Sequence, residues 1–234
     1  MGTRVTLILS AAIVVAAGIL GLSFYAARAS GESISVVGSA STRFSADRVK
    51  WQLSIGRTVP QAELTDGYAD MRLDYQRLKE VLLEAGLTGE EISPQPVTTH
   101  PVHAPDGQIR SYRMMQPVQV ISGELDTVQE LALNPGDYLH DGMVLERSQL
   151  EYFYSGIDEL KHELLRRATV DAQGRAEQIA EPAGMTIGTV REARAGVFQI
   201  REPFSTEVSG YGMYNTTSRE KEISVTVHAT FRAR

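Results

Sequence analysis

An uncharged stretch near the start of the chain constrains this sequence more than any other feature. It runs for 23 residues, from Val5 to Ala27, and reads VTLILSAAIVVAAGILGLSFYAA, with an arginine on either side. At a rise of about 1.5 Å per residue, a helix of this length spans about 34 Å, which exceeds the roughly 30 Å of a bilayer core. The stretch therefore predicts a single transmembrane helix, with residues 1–29 as a membrane anchor and residues 30–234 as the body.

A secretory signal peptide is the competing interpretation, because Ala27-Arg28-Ala29 has the A-x-A form of a cleavage site. The apolar core of a signal peptide usually has about 7–15 residues, so the length favours an uncleaved anchor. The orientation does not follow from charge. Arg4 and the free amine precede the stretch while Arg28 and Arg43 follow it, so the positive-inside rule gives a tie.

The charge and cysteine content exclude several classes of protein. The chain has no Cys, which excludes disulfide scaffolds, Cys-ligated zinc modules and cysteine nucleophiles. Its net charge of −6 argues against a nucleic-acid partner, which requires a basic surface. Setting aside Arg4 and Arg28 leaves 21 basic and 29 acidic side chains, a balance of −8 for the body. An acidic, Cys-free body is consistent with an extracytoplasmic location.

Two segments alternate apolar and polar residues, the period of two that predicts strands with one buried face. They are VKWQLSIG at 49–56 and ISVTVHATFR at 223–232. Parallel sheets have nearly continuous apolar strands instead, so this alternation favours antiparallel sheets covered on one side.

The first of two segments with helical spacing covers residues 61–85. Its apolar row is Leu64, Tyr68, Met71, Tyr75, Leu78, Leu82 and Ala85, with Asp66, Asp70, Asp74, Arg77 and Glu84 on the opposite face. We expect a capping box at residues 58–61 and a left-handed C-terminal glycine at Gly86.

The second helical segment begins near Asp158 and runs toward Gly184. Its apolar row is Leu160, Leu164, Ala168, Ala172, Ala176 and Ile179. The alanines allow a close approach to a sheet. A coiled coil between copies is the alternative, but the neighbouring strands favour packing against a sheet.

The strands and helices follow the same order twice. The first unit has a strand (50–59), a helix (61–85), a strand from Ile92 and a strand (111–121). The second unit has a strand (143–154), a helix (158–183), a strand (187–195) and a strand (221–232). We therefore expect one α+β body, mainly antiparallel, with two long helices and two β-α-β-β units arising by duplication, joined by a short helix near 126–133. Loops are expected at 100–107 and 201–219.

Catalytic motifs are absent from the sequence, which has no nucleophile elbow, phosphate-binding loop or zinc-binding H-E-x-x-H helix. We assign no catalytic or cofactor-binding residue. His100 and His103 with Asp106 are weak candidates for a metal site, because a site needs further ligands that no spacing places, and solvated histidines in a Pro-bounded hairpin loop are the favoured explanation. His140 and His162 are expected at ordinary exposed positions, and His228 on the polar face of the last strand.

The segment Ser209–Tyr214 combines aromatic side chains with flexible glycines, a composition that suits adaptable contacts. Tyr211, Met213 and Tyr214 are therefore candidate contacts with another subunit or partner. A mobile hairpin tip is the alternative.

Several short motifs lie along the body. They are ISVVGSA at 34–40, Asp47, SYR at 111–113, A-x-x-D-A-x-x-R-A-E-Q-I-A at 168–180, Gly184, Gly188, GVFQI at 196–200 and EISVTV at 222–227. Together they resemble the SIMPL domain family of bacterial envelope proteins, in the branch with an N-terminal membrane anchor.

This resemblance implies an α+β protein facing the periplasm, with no established enzymatic mechanism. It also implies that some relatives assemble into rings with a central channel and that some protect against oxidative stress. We expect a single-pass protein of the bacterial inner membrane, bound to the membrane through residues 5–27, with a periplasmic body that forms homo-oligomers or binds a partner. A metal-dependent hydrolase centred on His100, His103 and Asp106 is an alternative, as is a sensor of a small ligand.

Overall fold

The computed structural model describes residues 13–23 and 32–234, and residues 13–23 form a helical segment, α1. The remainder of the predicted anchor, residues 5–12 and 24–27, lies outside the described residues. Among residues 13–23 and 32–234, no helix has the length and hydropathy that a membrane crossing requires.

The body is α+β, as the sequence predicts. Its strands are β1 (Ser33–Ser45), β2 (Arg48–Pro60), β3 (Ile92–Pro94), β4 (Thr98–His103), β5 (Ile109–Ser122), β6 (Val144–Phe153), β7 (Ile187–Ala195), β8 (Gln199–Arg201), β9 (Met213–Tyr214) and β10 (Glu220–Ala233). Its helices are α2 (Leu64–Glu84), α3 (Leu125–Leu133) and α4 (Ile157–Ala180). The two β-α-β-β successions are present in this order. Strand β1 has no counterpart among the predicted strands, and one pair, β8 with β9, is parallel.

The chain divides into two compact units. Unit 1 comprises residues up to 40, 164–196 and 225–234, and unit 2 comprises residues 41–163 and 197–224. The divisions fall within β1, α4 and β10, so neither unit is one continuous stretch of chain. The expectation of one body, as opposed to two independent domains, stays a prediction.

Strand β2 is the central strand of the sheet in unit 2. The strand order is β3-β5-β2-β6, β4 also pairs with β5, and every pair is antiparallel. Trp51 lies opposite Val120 on one side and Leu150 on the other. Odd-numbered residues of β2 face the core and even-numbered residues face the opposite, open side, which is the alternation that the sequence predicts.

Helix α2 packs on the core side of this sheet, but its buried row differs from the predicted one. The buried residues are Gly67, Met71, Asp74, Leu78 and Leu82. The prediction was wrong for Tyr68, which is 47% exposed, and for Asp74, which is 1% exposed. The predicted capping box was also wrong, because residues 58–60 belong to β2. Gly86 has a φ of 98°, so the prediction for the end of the helix is confirmed.

Helix α4 approaches β1 of unit 1 closely through small residues. Its buried residues are Leu164, Ala168, Ala172, Ala176 and Ala180, so the alanine row is confirmed, whereas Ile179 is exposed. A Cβ on Gly38 would lie 2.2 Å from the Ala168 carbonyl oxygen and 2.4 Å from the Ala172 amide nitrogen. The helix and strand therefore meet backbone to backbone, which only glycine permits.

Asp171 holds the same contact by hydrogen bonds. Its Oδ2 accepts from the Ser39 amide at 2.7 Å and from Arg175 Nε at 2.8 Å. The backbone bond from Ser39, with the Arg175 guanidinium, holds the pKa of Asp171 below its usual value despite some burial.

We predict that Gly38→Ala lowers the free energy of unfolding of unit 1 by about 3 kcal/mol, since the methyl group would overlap backbone atoms that cannot rotate away. Thermal melting by circular dichroism and amide hydrogen exchange of α4 would measure the loss. Gly89→Ala is the control, because nothing lies within 4 Å of its added Cβ. Equal melting of the two variants would contradict the prediction.

Candidate functional site

The residues predicted as weak metal ligands do not converge. His100 and His103 lie in β4, opposite Arg113 and Ile109 of β5, so this part of the expected loop is a strand. Asp106 lies in the turn that follows, where its Oδ1 accepts from the Gln108 amide at 3.0 Å. Within residues 13–23 and 32–234, no three His, Asp or Glu side chains are grouped to hold a metal ion.

A buried ionic cluster in unit 2 instead joins Arg57 of β2, Asp74 of α2 and His140. Arg57 donates to both carboxylate oxygens of Asp74, from Nε at 3.0 Å and from Nη2 at 2.8 Å. His140 Nε2 lies 2.9 Å from Asp74 Oδ1. Because an ionised carboxylate only accepts hydrogen bonds, Nε2 carries a proton in this contact. The hydrogen-bonded carboxylate raises the pKa of Arg57 above its usual value.

This cluster corrects two predictions, namely that Asp74 and His140 are ordinary surface residues. Asp74 occupies the apolar row of α2, and the His140 side chain is only 25% exposed. The sequence contained a sign of this burial, because Asp74 lies three residues after Met71 and four before Leu78, on the apolar side of the helix. Spacing alone does not reveal its cationic partners. The predicted exposure of His162 and His228 is confirmed, because both residues are exposed.

We predict that Asp74→Asn lowers the free energy of unfolding by about 3 kcal/mol, because it leaves the Arg57 guanidinium without its charged partner. Asp70→Asn is the matched control. Asp70 is half exposed and 3.7 Å from Arg57, so its loss should cost less than about 1 kcal/mol. Trp51 is the one Trp in the chain and is fully buried, so its fluorescence follows the unfolding of both variants in urea. Similar losses in the two variants would refute a central role for Asp74.

The open face of the unit 2 sheet contains a depression with a volume of about 490 Å³. We call it the Ser54 depression. It is lined by Gln52, Leu53, Ser54, Gln95, Met115, Pro117, Val118, Gln119, Glu146 and Arg147. The volume is within the range of about 300–1,000 Å³ that is typical of ligand sites.

Two small residues of β2 lie at or beside this depression. Ser54 lines it opposite Pro117, and Gly56 follows on the same face. A Cβ on Gly56 would lie 2.8 Å from Glu146 Cγ and 3.0 Å from the Met114 carbonyl oxygen, so the Glu146 side chain packs directly over Gly56. A bulge in β6 displaces the register between Arg147 and Leu145, which leaves Glu146 as the extra residue at the rim.

Ser54 is unusual within the depression. Its residue is only 8% exposed, and strand alternation directs its side chain to the open face. Its hydroxyl has no hydrogen-bond partner in the part of the chain that the structure describes. Ser54 Oγ is not among the buried atoms without a partner, so it is accessible from the depression and a bound group can form a hydrogen bond to it.

A second exposed feature of unit 2 is the Tyr211 loop, defined as residues 202–212 between β8 and β9. Its backbone is held in place, because the Gln199 side chain donates to the Ser209 carbonyl at 2.6 Å and accepts from the Ser209 amide at 3.1 Å. Tyr211 is nevertheless 100% exposed and Phe204 is 83% exposed. Phe204 has a φ of 67°, a conformation that is costly for a bulky side chain.

Of the other predicted contact residues, Met213 is half-buried. Tyr214 is partly exposed, and its ring centroid lies 6.1 Å from that of Phe153.

Lys221 anchors the segment that follows this loop. It is fully buried, and its Nζ donates to the carbonyls of Asn215 and Ser218, each at 2.6 Å. Burial lowers the pKa of Lys221 from 10.5 to about 8, although the charge of Glu202 opposes the shift.

We predict that the wild type becomes more stable relative to Lys221→Met as the pH rises from about 8 to 10.5. Over this interval the unfolded chain binds more protons at Lys221 than the folded chain, so deprotonation favours folding by at most about 1.4 kcal/mol per pH unit. Below pH 8 both states hold the proton and the difference should be constant. Urea titrations followed by Trp51 fluorescence measure the free energy of unfolding of both proteins at each pH. A difference between the two proteins that stays constant up to pH 10.5 would contradict the lowered pKa of Lys221.

The fold defines an α+β protein of mostly antiparallel sheets, whose open faces and loops carry the candidate surfaces. The family model for SIMPL, described as a protein of unknown function (DUF541), matches residues 34–231. The chain therefore belongs to the SIMPL family. A comparison with curated proteins finds no match.

The residues that carried the resemblance have structural roles. Gly38 and Asp171 fix α4 against β1 in unit 1. In unit 2, Asp47 Oδ1 accepts from the Ser155 amide at 2.8 Å, and the Ser155 hydroxyl bonds to Oδ2. Burial raises the pKa of Asp47, but the two bonds from Ser155 outweigh this effect and lower it. Gly184 has a φ of 68° after α4. The motifs thus identify the fold and leave the binding surfaces unassigned.

Proposed function

We propose that this SIMPL protein is held in the bacterial inner membrane by residues 5–27 and that its periplasmic body forms homo-oligomers. The uncharged 23-residue stretch supports the anchor, and the acidic, Cys-free body suits an envelope location. The family resemblance implies the same setting. A role in protection against oxidative stress is supported by that resemblance alone.

The Tyr211 loop is the observation that carries the assembly proposal. Its backbone is hydrogen-bonded to β8, yet it holds Phe204, Val208 and Tyr211 in solvent. An ordered loop loses little conformational entropy on binding, and aromatic side chains supply much of the energy of protein interfaces. Exposure of this kind on an ordered segment is typical of a contact with another protein chain.

A free strand edge is the less favourable contact. Among the described strands, β7 pairs only with β10, and nearly all of its residues are exposed. It carries Arg191, Glu192 and Arg194, however, and charged side chains on an edge oppose pairing with another strand. The Tyr211 loop has the apolar surface that β7 lacks.

We predict that the full-length protein stays in carbonate-washed membranes and that mild detergent extracts it as a defined multimer. Anchoring confines the bodies to a layer beside the membrane and raises their effective concentration, which favours self-association. Detergent-corrected light scattering would give the subunit number. A monomer at every concentration would reject the assembly proposal, and release by carbonate would reject the anchor.

Paired substitutions test whether the loop makes the contact. Phe204→Asp with Tyr211→Asp places two carboxylates where we expect an apolar interface, so the multimer should dissociate. Val170→Asp is the matched control, since Val170 is also an exposed apolar residue but lies on α4. If the multimer persists in the Phe204→Asp, Tyr211→Asp variant but dissociates in Val170→Asp, the interface lies on α4 and not on the loop.

A further inference from the structure

Two features of unit 2 lack a partner in the described residues, namely the hydroxyl of Ser54 and the side chain of Tyr211. Ser54 lies nearly buried in a depression of about 490 Å³, and Tyr211 is 100% exposed on an ordered loop. We propose that the Ser54 depression of one copy of this chain binds the Tyr211 side chain of a second copy. This inference rests on the proposed self-association and names the surface that receives the loop.

The chemistry of the depression suits a tyrosine side chain. Met115 and Pro117 provide apolar contacts for an aromatic ring, and a methionine sulfur beside a ring is favourable. Gln52 and Gln119 lie opposite each other on β2 and β5, so their amides stand side by side on this face and can form hydrogen bonds to a group bound there. Tyrosine requires an apolar environment for its ring and a hydrogen-bond partner for its hydroxyl, and the depression offers both.

The unpartnered hydroxyl of Ser54 provides the specific interaction. A serine hydroxyl can donate one hydrogen bond and accept others, and a phenol has the same ability, so the two groups are complementary in either direction. Insertion of Tyr211 would satisfy the hydroxyl in the interior of the depression. It would also bury the most exposed aromatic ring among the described residues, and both changes favour association.

A competing cavity in unit 1 lacks this feature. It has a volume of about 450 Å³ and is lined by residues that include Ser35, His228 and Thr230. Its hydroxyls already bond to each other, with Ser35 Oγ 2.9 Å from Thr230 Oγ1. The polar groups of the Asp74 cluster also have their partners within the protein.

A second copy is the occupant that the chain itself supplies. Tyr211 is fully exposed, so it does not fill the depression of its own copy. Every copy carries one Tyr211 loop and one Ser54 depression in the same unit, so the contact joins two different surfaces. Two copies can exchange this contact reciprocally in a two-fold dimer, or they can repeat it head to tail in closed rings or open chains.

The absence of Cys from the native chain allows a direct test by disulfide cross-linking. Full-length protein with Gly210→Cys, which keeps Tyr211 and places its added Cβ in open space, is mixed in detergent with full-length protein carrying Gln119→Cys, and the mixture is oxidised. We expect a covalent dimer of the two proteins. The control replaces Gln119→Cys by Thr58→Cys, which lies on the same open face but outside the depression, and should give little product. Equal cross-linking with both partners would overturn the proposal.

A double-mutant cycle tests the hydroxyl contact itself. Tyr211→Phe and Ser54→Ala each remove one side of the proposed hydrogen bond, so each should weaken self-association by about 2- to 12-fold. If the hydroxyls meet, the double variant should be little weaker than either single variant, because the interaction is lost only once. Independent, multiplicative effects would overturn the contact.

Ser54→Phe fills the depression and should dissociate the multimer, with Trp51 fluorescence and circular dichroism confirming that the variant folds. A multimer that persists in Ser54→Phe, together with no covalent dimer between the Gly210→Cys and Gln119→Cys proteins, would reject this receptor surface while leaving the proposed self-association intact. A wild-type protein that is monomeric at every concentration would reject both. A small molecule that copurifies with the wild type and is lost in Ser54→Phe, with assembly unchanged, would also reject the proposal.

Discussion

The alternation of strand β2 is the constraint on which both the core and the candidate binding surface of unit 2 depend. Because successive side chains of a strand point to opposite faces, Trp51 and Leu53 enter the core while Ser54 and Gly56 lie on the open side. A shift of one residue in register would exchange the two faces, so the packing of Trp51 also fixes the position of the Ser54 depression. Hydrophobic burial on one face thereby orients a polar surface on the other.

Buried polar groups also connect separate segments within unit 2. Asp74 joins α2 to β2, and Lys221 joins β10 to the segment after β9. Each charge loses hydration when the chain folds, and it is tolerated because two or more hydrogen bonds replace the water. The Tyr138 hydroxyl and Arg201 Nε are buried without such a replacement, so a missing partner does not by itself mark a binding site. At Ser54 the missing partner coincides with a depression large enough for an aromatic ring, and that coincidence is informative.

The strongly periodic segments were predicted well, and the errors fall where a residue's partner is distant in sequence. The patterns of β2, β10 and α4 agree with their sequence periods, because each pattern reflects burial of one face. The prediction for α2 was wrong at Asp74, since a carboxylate is normally assigned to solvent unless its cations are known. His140 was missed for the same reason, because 66 residues separate it from Asp74. The predicted capping box was wrong because pairing with β5 extends β2 to Pro60.

By itself, the sequence determined the α+β class, the family, the uncharged stretch and the row of alanines on α4, because composition and periodicity are local properties of the chain. It also predicted Tyr211 as a candidate contact residue, since the composition of its loop is a local property. Only the tertiary structure decided that Gly38 meets α4 backbone to backbone, that Asp74 is an ionic centre and that Ser54 lies in a depression. Each of these depends on which distant segments meet, and that is determined by packing and strand register, which no local pattern specifies.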